Sequence, residues 1–518
     1  MGTRAGRADA AGEAPVSGGG RIGRNFVITL AGSAMSGLQG IVVLPIMIRL
    51  AGEATYGAYT LLISLLGLWI AFIGYGIPYR YQRNLVSAKT LAERRALFEP
   101  QFTFQLLMVV LASAVIVLAG RRLESWIFGD MTHFTPAYLA AVLFSNLFCR
   151  QAQDYFRYTE RFLPLSISTA SATYVFVAIL VAVALLSNTL SLDTLLLLQA
   201  ITYLAISLPL LVVLLRELGL PRLRFPFRTL LEDIHIAWPL SVELVIDYAL
   251  RFGDRYVILL YLSVADVGRY QPAYALATVV MMLPSLIDII LVPALSRLID
   301  LGERAEAERL LAAFMRLFLM LSVPFAVGAL MMGPTILGLL TTTEIGVASR
   351  WVSPLMAVAS IFLGIMRLAS LVAFVMGRTR TILGASLLGA GLNIALNMVL
   401  LAIVRDISVP AASALVGYVA AGVYTVLALR PVWHIGFEWG AIARYCLAAA
   451  AMGVVLWLLG YPPGTVVPVN PFVLTAVLAA GGISYFAALT AVGGFGRREL
   501  NQIGNLLRRQ DRSAGQAA

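Results

Sequence analysis

Leu50-Ala-Gly-Glu-Ala-Thr-Tyr-Gly-Ala-Tyr59 has an echo at Leu262-Ser-Val-Ala-Asp-Val-Gly-Arg-Tyr270, where Gly268 and Tyr270 match Gly57 and Tyr59 at an offset of 211 residues. A second echo, at an offset of 217, pairs Arg150 to Arg161 with Arg367 to Arg378, and each copy leads into an apolar run of similar length. Two matches at nearly one offset mark a duplicated unit. Six apolar runs separate the copies, an even number, so both copies enter the membrane in the same direction. The axis relating them then runs along the membrane normal.

The runs are long enough to cross a hydrocarbon core of about 30 Å. Fourteen spans are expected, at 26–48, 56–78, 102–119, 134–152, 163–186, 192–215, 237–262, 267–292, 312–340, 352–376, 381–404, 410–429, 445–460 and 471–493. Hydrophobic residues make up 60% of the 518 and charged residues 13%, with a mean hydropathy of +0.87. A water-facing surface cannot be built from that composition. The expected fold is therefore all-α and polytopic: two six-helix lobes related by a pseudo-twofold, plus two extra C-terminal helices. Pro45, Pro209, Pro284 and Pro324 fall inside spans and are candidate kinks.

The basic residues orient the bundle. Of 38 Lys and Arg, 29 fall in the N-terminal segment and every second loop, against five (Arg49, Arg121, Arg122, Arg350, Arg405) in the alternate loops. Both termini are expected in the cytoplasm. The domain reading that follows is a disordered cytoplasmic tail (1–25), an N-terminal six-helix lobe (26–215), a cytoplasmic linker (216–236), a C-terminal six-helix lobe (237–430), helices 13 and 14 (431–495) and a cytoplasmic amphipathic tail (496–518). Residues 88–99 and 302–316 read as amphipathic connectors.

Several chemistries are set aside. The net charge of +11 is accounted for by the positive-inside signal and attraction to anionic membrane lipids, so nucleic acid is not an expected partner. Lys89 is the only Lys and follows no Gly-rich phosphate loop. His133, His235 and His434 lack metal-ligand spacing, and Cys149 and Cys446 read as small hydrophobes. No cofactor is expected. The outward loop at about 120–133 is too short to hold a catalytic domain, so the chain does not read as an enzyme.

Leu44-Pro-Ile-Met-Ile-Arg-Leu-Ala-Gly-Glu-Ala-Thr-Tyr-Gly-Ala-Tyr59, then Gly74-Tyr-Gly-Ile77 and Arg83, resemble the opening of the bacterial polysaccharide (O-antigen type) flippases. These belong to the multidrug/oligosaccharidyl-lipid/polysaccharide exporter superfamily. Asp254-Arg255, Val267-Gly-Arg-Tyr270, Pro293-Ala-Leu-Ser-Arg297 and Leu392-Asn-Ile-Ala-Leu-Asn397 resemble landmarks of the second half, and the resemblance covers roughly 25–430. It departs at Tyr75, where such proteins often carry an acid. It also lacks the Arg-Asp signature expected after the first helix of a lipid II flippase, which points away from a peptidoglycan precursor. The resemblance implies an inner-membrane flippase that moves an undecaprenyl-pyrophosphate-linked oligosaccharide by alternating access, for surface polysaccharide biosynthesis. Polysaccharide polymerase and export machinery are the protein partners expected with it. A cation-coupled small-molecule antiporter shares the fold and stays open as the alternative; a membrane polymerase or glycosyltransferase fits less well, because no large outward loop is present.

The seventh span carries the strongest site signal. Glu243, Asp247, Arg251 and Arg255 recur every four residues and Asp254 lies seven after Asp247, so all five cluster on one side. One charge at the bilayer centre costs about 2.5–3.5 kcal/mol, and five facing lipid roughly 10 kcal/mol or more, so they face protein or water. Arg251 and Arg255 are expected to bind cargo, with Arg49, Arg83, Arg367 and Gln39 as further substrate contacts; Asp247, Glu243 and Asp254 are expected to couple an ion. The alternative is an ion-pair ladder that neutralises itself.

Overall fold

The computed structural model describes residues 18–75, 81, 84–85, 88, 90–128, 133–159, 161–224 and 227–494, and every regular element among them is helical. Helix α1 (Gly18–Tyr75) joins the first two expected spans without a loop. At Gly52 the backbone takes φ +80, a conformation open to a residue without Cβ, and the helix kinks there. Next come α2 (Leu91–Phe128), α3 (Pro136–Tyr158), α4 (Phe162–Leu186), α5 (Leu192–Leu218) and α6 (Phe227–Tyr261). The seventh connection repeats the turn at Gly52 by other means. Ser263 caps α7 (Val264–Thr278) in a reciprocal box, its hydroxyl accepting from the Asp266 amide while the Asp266 carboxylate accepts from the Ser263 amide.

The expected eighth span is broken. A 3-10 turn (Val279–Met281) separates α7 from α8 (Met282–Asp300) just before Pro284, whose ring cannot donate to the carbonyl of Val280 and crowds it. The chain continues through α9 (Arg304–Leu340), the short α10 (Thr343–Ala348), α11 (Val352–Val375), α12 (Thr379–Val404), α13 (Val409–Leu429), α14 (Trp439–Leu458) and α15 (Pro471–Ala491). Two expected connectors are not separate elements: 91–99 and 304–316 are the opening turns of α2 and α9. Helix-favouring Ala, Glu, Arg and Leu carry both helices straight through. Arg121 and Arg122 likewise lie within α2 rather than in an outward loop.

Eleven stretches among the described residues are long and apolar enough to cross a membrane. Of the fourteen expected spans, the first lies mostly outside the residues whose side chains are described, and α3 and the described part of α6 are too polar to qualify. Helix α3 carries Asn146, Arg150, Gln151, Gln153, Asp154 and Arg157, and α6 carries the five charges of the seventh span.

Packing reproduces the repeat. In the first half α3 lies on α5, α4 on α1, α2 on α3, and α4 on α5; in the second half α11 lies on α13, α12 on α6, α9 on α11, and α12 on α13. These are the same four pairings, six spans apart. Between the halves the contact is self-complementary. A Cβ on Gly57 would lie 2.8 Å from the Gly268 amide nitrogen and closer still to the Val264 oxygen; one on Gly268 would lie 2.8 Å from the Glu53 carbonyl carbon and closer still to its oxygen. Glu53 and Val264, like Gly57 and Gly268, are 211 residues apart. Such reciprocal contacts are the mark of a twofold relation. The final pair, α14 and α15, adds to one flank by packing α14 on α9.

Candidate functional site

The five charges of α6 do not act as one ladder. Arg251 pairs with Asp247, and these two neutralise each other as an i, i+4 pair. Asp254 and Arg255, adjacent in sequence, point about 100° apart on the helix and find separate surroundings. Asp254 is fully buried and accepts from Asn393 Nδ2 at 2.9 Å, Asn397 Nδ2 at 2.8 Å and the Tyr270 hydroxyl at 3.0 Å. It thereby ties α6 to α7 and α12. Asn397 Nδ2 also lies 3.2 Å from Asn393 Oδ1, while the buried Asn397 Oδ1 has no hydrogen-bond partner.

Arg255 is 1% exposed and forms no ion pair among the described residues. Its Nε donates to Gln271 Oε1 at 2.6 Å and one terminal nitrogen to the Arg251 carbonyl at 3.1 Å. The guanidinium carbon sits 4.7 Å from the Phe252 ring centre and 4.8 Å from that of Tyr274, so two π faces hold its plane. Tyr274 is fixed in turn by donating to the same Arg251 carbonyl at 3.0 Å.

Arg255 and Gln271 line a cavity of about 620 Å³ between the two halves. Its opposite wall comes from α1, α4 and α5, where Tyr56, Tyr59, Phe176 and Gln199 face the space and Tyr59 donates to Gln199 Oε1 at 2.8 Å. Most of the surface is aromatic or aliphatic, with one cation set into it. A buried guanidinium with unused donors facing such a space can hold an anion, and the rings beside it can stack on flat or ring-shaped groups.

The cavity is closed at the Gly52 end. Arg49 donates across the halves to the carbonyls of Thr341 at 3.2 Å and Leu339 at 3.0 Å, at the C-terminal end of α9. Glu53 pairs with Arg269, and deeper along α1 the Ser64 and Tyr256 hydroxyls bond at 2.9 Å. From residue 53 to residue 67 the halves touch over about 20 Å of helix.

Of the substrate-binding residues expected from sequence, Arg255 alone among the described side chains lines this cavity. Arg251 is held by Asp247, Arg49 forms the closed end, and the half-buried Arg367 lies on α11 within electrostatic reach of Asp288 on α8. Of the expected ion-coupling residues, Asp247 sits in the pair and Asp254 in the amide network. Gln39, Arg83 and Glu243 lie outside the residues whose side chains are described. Gln271, Tyr274 and Phe252 carried no sequence signal beyond being polar or aromatic within apolar runs. Tyr59 did: it belongs to the repeated segment.

The profile of a family described as polysaccharide biosynthesis protein matches residues 46–349. A structure of the lipid II flippase MurJ in an inward closed conformation is similar with a TM-score of 0.71 and 12% identity, over 90% of this chain and 98% of that one. An inward-facing multidrug resistance MATE family transporter of the MOP superfamily aligns with a TM-score of 0.59 and 10% identity, over 78% and 97%. The MATE multidrug transporter DinF-BH in complex with R6G aligns at 0.55 and 17% identity, over 82% and 98%. At these identities the likeness is one of fold. None of the curated proteins compared with the chain matches it.

Proposed function

The chain belongs to the polysaccharide biosynthesis protein family, and we propose that it is a flippase that carries an undecaprenyl-pyrophosphate-linked oligosaccharide from the cytoplasmic to the periplasmic leaflet by alternating access. The observation that carries this reading is Arg255: a buried cation without a carboxylate partner among the described residues, facing a cavity walled by aromatic rings. A pyrophosphate supplies the missing anion, the rings suit sugar faces, and the polyprenyl tail stays in lipid. A cavity of about 620 Å³ takes the headgroup and its nearest sugars, leaving the remainder outside.

The asymmetry of basic loops supports the direction, with the Gly52 end in the periplasm and both termini in the cytoplasm of a cell with an inner membrane. The closure by Arg49 and the Glu53–Arg269 pair is then a periplasmic closure, and the cavity loads from the cytoplasmic side. In this reading Asp254 is the ion-coupling group, because protonation or cation binding there would loosen or recruit the amides of Asn393 and Asn397 and so move α12 against α6. Polymerase and export machinery would receive the product.

The second reading, small-molecule antiport, is favoured by the largely apolar cavity walls. Depleting the protein from its native cell separates the two. The flippase reading expects lipid-linked oligosaccharide to accumulate in the inner leaflet and surface polymer to fall at least tenfold, with drug susceptibility unchanged. Altered drug susceptibility with normal surface polymer would instead support antiport.

A further inference from the structure

The segment after α5 is laid on the first half of the molecule as a strap. Leu220 accepts at its carbonyl from an Arg95 terminal nitrogen at 2.8 Å, the Arg222 amide donates to Glu99 Oε1 at 3.2 Å, and the Arg224 amide donates to Thr103 Oγ1 at 3.2 Å. Alternate residues thus face α2, and all three contacts are made by backbone atoms. Glu99, 3% exposed, also holds Arg95 Nε at 2.8 Å and lies 3.4 Å from Arg224 Nε.

Docking through the backbone leaves the side chains of Leu220, Arg222 and Leu223 outward, while Arg224 stays beside Glu99. Leu220 is 78% and Leu223 69% exposed, and between and beside them Arg222 and Arg224 are exposed as well. Arg222 and Arg216, at the end of α5, have no carboxylate partner among the described residues. Two exposed leucines interleaved with two guanidinium groups, at the end of a membrane bundle, match the boundary between acyl chains and anionic headgroups. The leucines are too exposed to serve the fold.

We propose that the strap Leu220–Arg224 is a binding site for an anionic glycerophospholipid, with Arg222 on the headgroup phosphate and Leu220 and Leu223 in the acyl boundary. The bound lipid braces the strap and α2 against the leaflet. The test is native mass spectrometry of the full chain titrated with phosphatidylglycerol or phosphatidylcholine. One arginine near an anionic surface is worth about fivefold in affinity, so Arg222→Gln should weaken phosphatidylglycerol about fivefold. Adding Leu223→Gln should weaken it further, and Arg222→Lys should restore it to within about twofold, because a point charge still attracts phosphate. Arg350→Gln, at the opposite end, should change nothing. Equal retention of phosphatidylglycerol by wild type and Arg222→Gln would overturn the site, as would equal binding of phosphatidylcholine. Displacement of the lipid by inorganic pyrophosphate, at a concentration that leaves bulk vesicle binding intact, would also overturn it in favour of a phosphate from another source.

Discussion

Arg255→Gln is expected to stop polymer export while leaving the protein in the membrane at near-normal level. The side chain donates to Gln271 and to the Arg251 carbonyl, neither of which is charged, so its removal breaks no direct ion pair among the described residues, and Asp254 keeps its bonds from Asn393, Asn397 and Tyr270. What is lost is the one cation that lines the cavity among the described residues. A hydrogen bond to a charged group contributes about 1.5–3 kcal/mol, so cargo affinity should fall by about ten- to a hundredfold. Arg255→Lys should keep part of the export, because an ammonium still attracts pyrophosphate although it cannot fork or lie flat between Phe252 and Tyr274. The neighbouring pair is the control. Asp247→Asn with Arg251→Gln removes a self-neutral pair outside the cavity lining and should leave export near wild type. Arg251→Gln alone should lower the amount of folded protein, since it leaves Asp247 unpaired. Export that survives Arg255→Gln, or that is lost in the neutral double variant, would reassign the cation.

Gly57→Ala and Gly268→Ala should have matched effects. Each new methyl group would press on a backbone carbonyl of the opposing half, at Val264 in one case and Glu53 in the other, and a backbone atom cannot rotate away as a side chain can. Overpacking of this kind costs about 1–3 kcal/mol. The contact exists where the halves meet at the Gly52 end, so both variants should open that end and lower the melting temperature of the purified protein by similar amounts. The double variant should fall short of the sum, because the first methyl group already separates the surfaces the second would strike. Thermal unfolding of the three variants in one detergent checks this. One variant with a large effect beside a silent partner would contradict the twofold pairing.

Much of the fold is legible in the chain. Length and apolarity mark the spans, and the matched Gly57 and Gly268 mark the repeat; that they meet where the halves touch emerges only from the packing. The turn at Gly52 is not legible as a fusion of two spans, because a glycine between apolar runs reads equally as a loop. The charged face of the seventh span was visible as a set, yet its division was hidden. Spacing places Asp247, Arg251 and Arg255 in one line, but which carboxylate pairs with which arginine depends on what the other helices supply. Asn393 and Asn397 supply two amides to Asp254, which withdraws it; Asp247 withdraws Arg251; Arg255 is left facing the cavity. Without those partners, spacing alone leaves Arg251 and Arg255 as cargo cations together. Gln271 and Tyr274, on a helix that begins after the turn at Ser263, join the site only through tertiary packing.

Reconstituting the purified chain in liposomes and following the movement of a fluorescent undecaprenyl-pyrophosphate-linked oligosaccharide between leaflets tests the central claim most directly. Wild-type protein should move the lipid at least tenfold faster than protein-free liposomes, Arg255→Lys should be intermediate, and Arg255→Gln should be close to the protein-free rate. Wild-type vesicles no faster than empty ones, or an Arg255→Gln rate equal to that of wild type, would contradict the account.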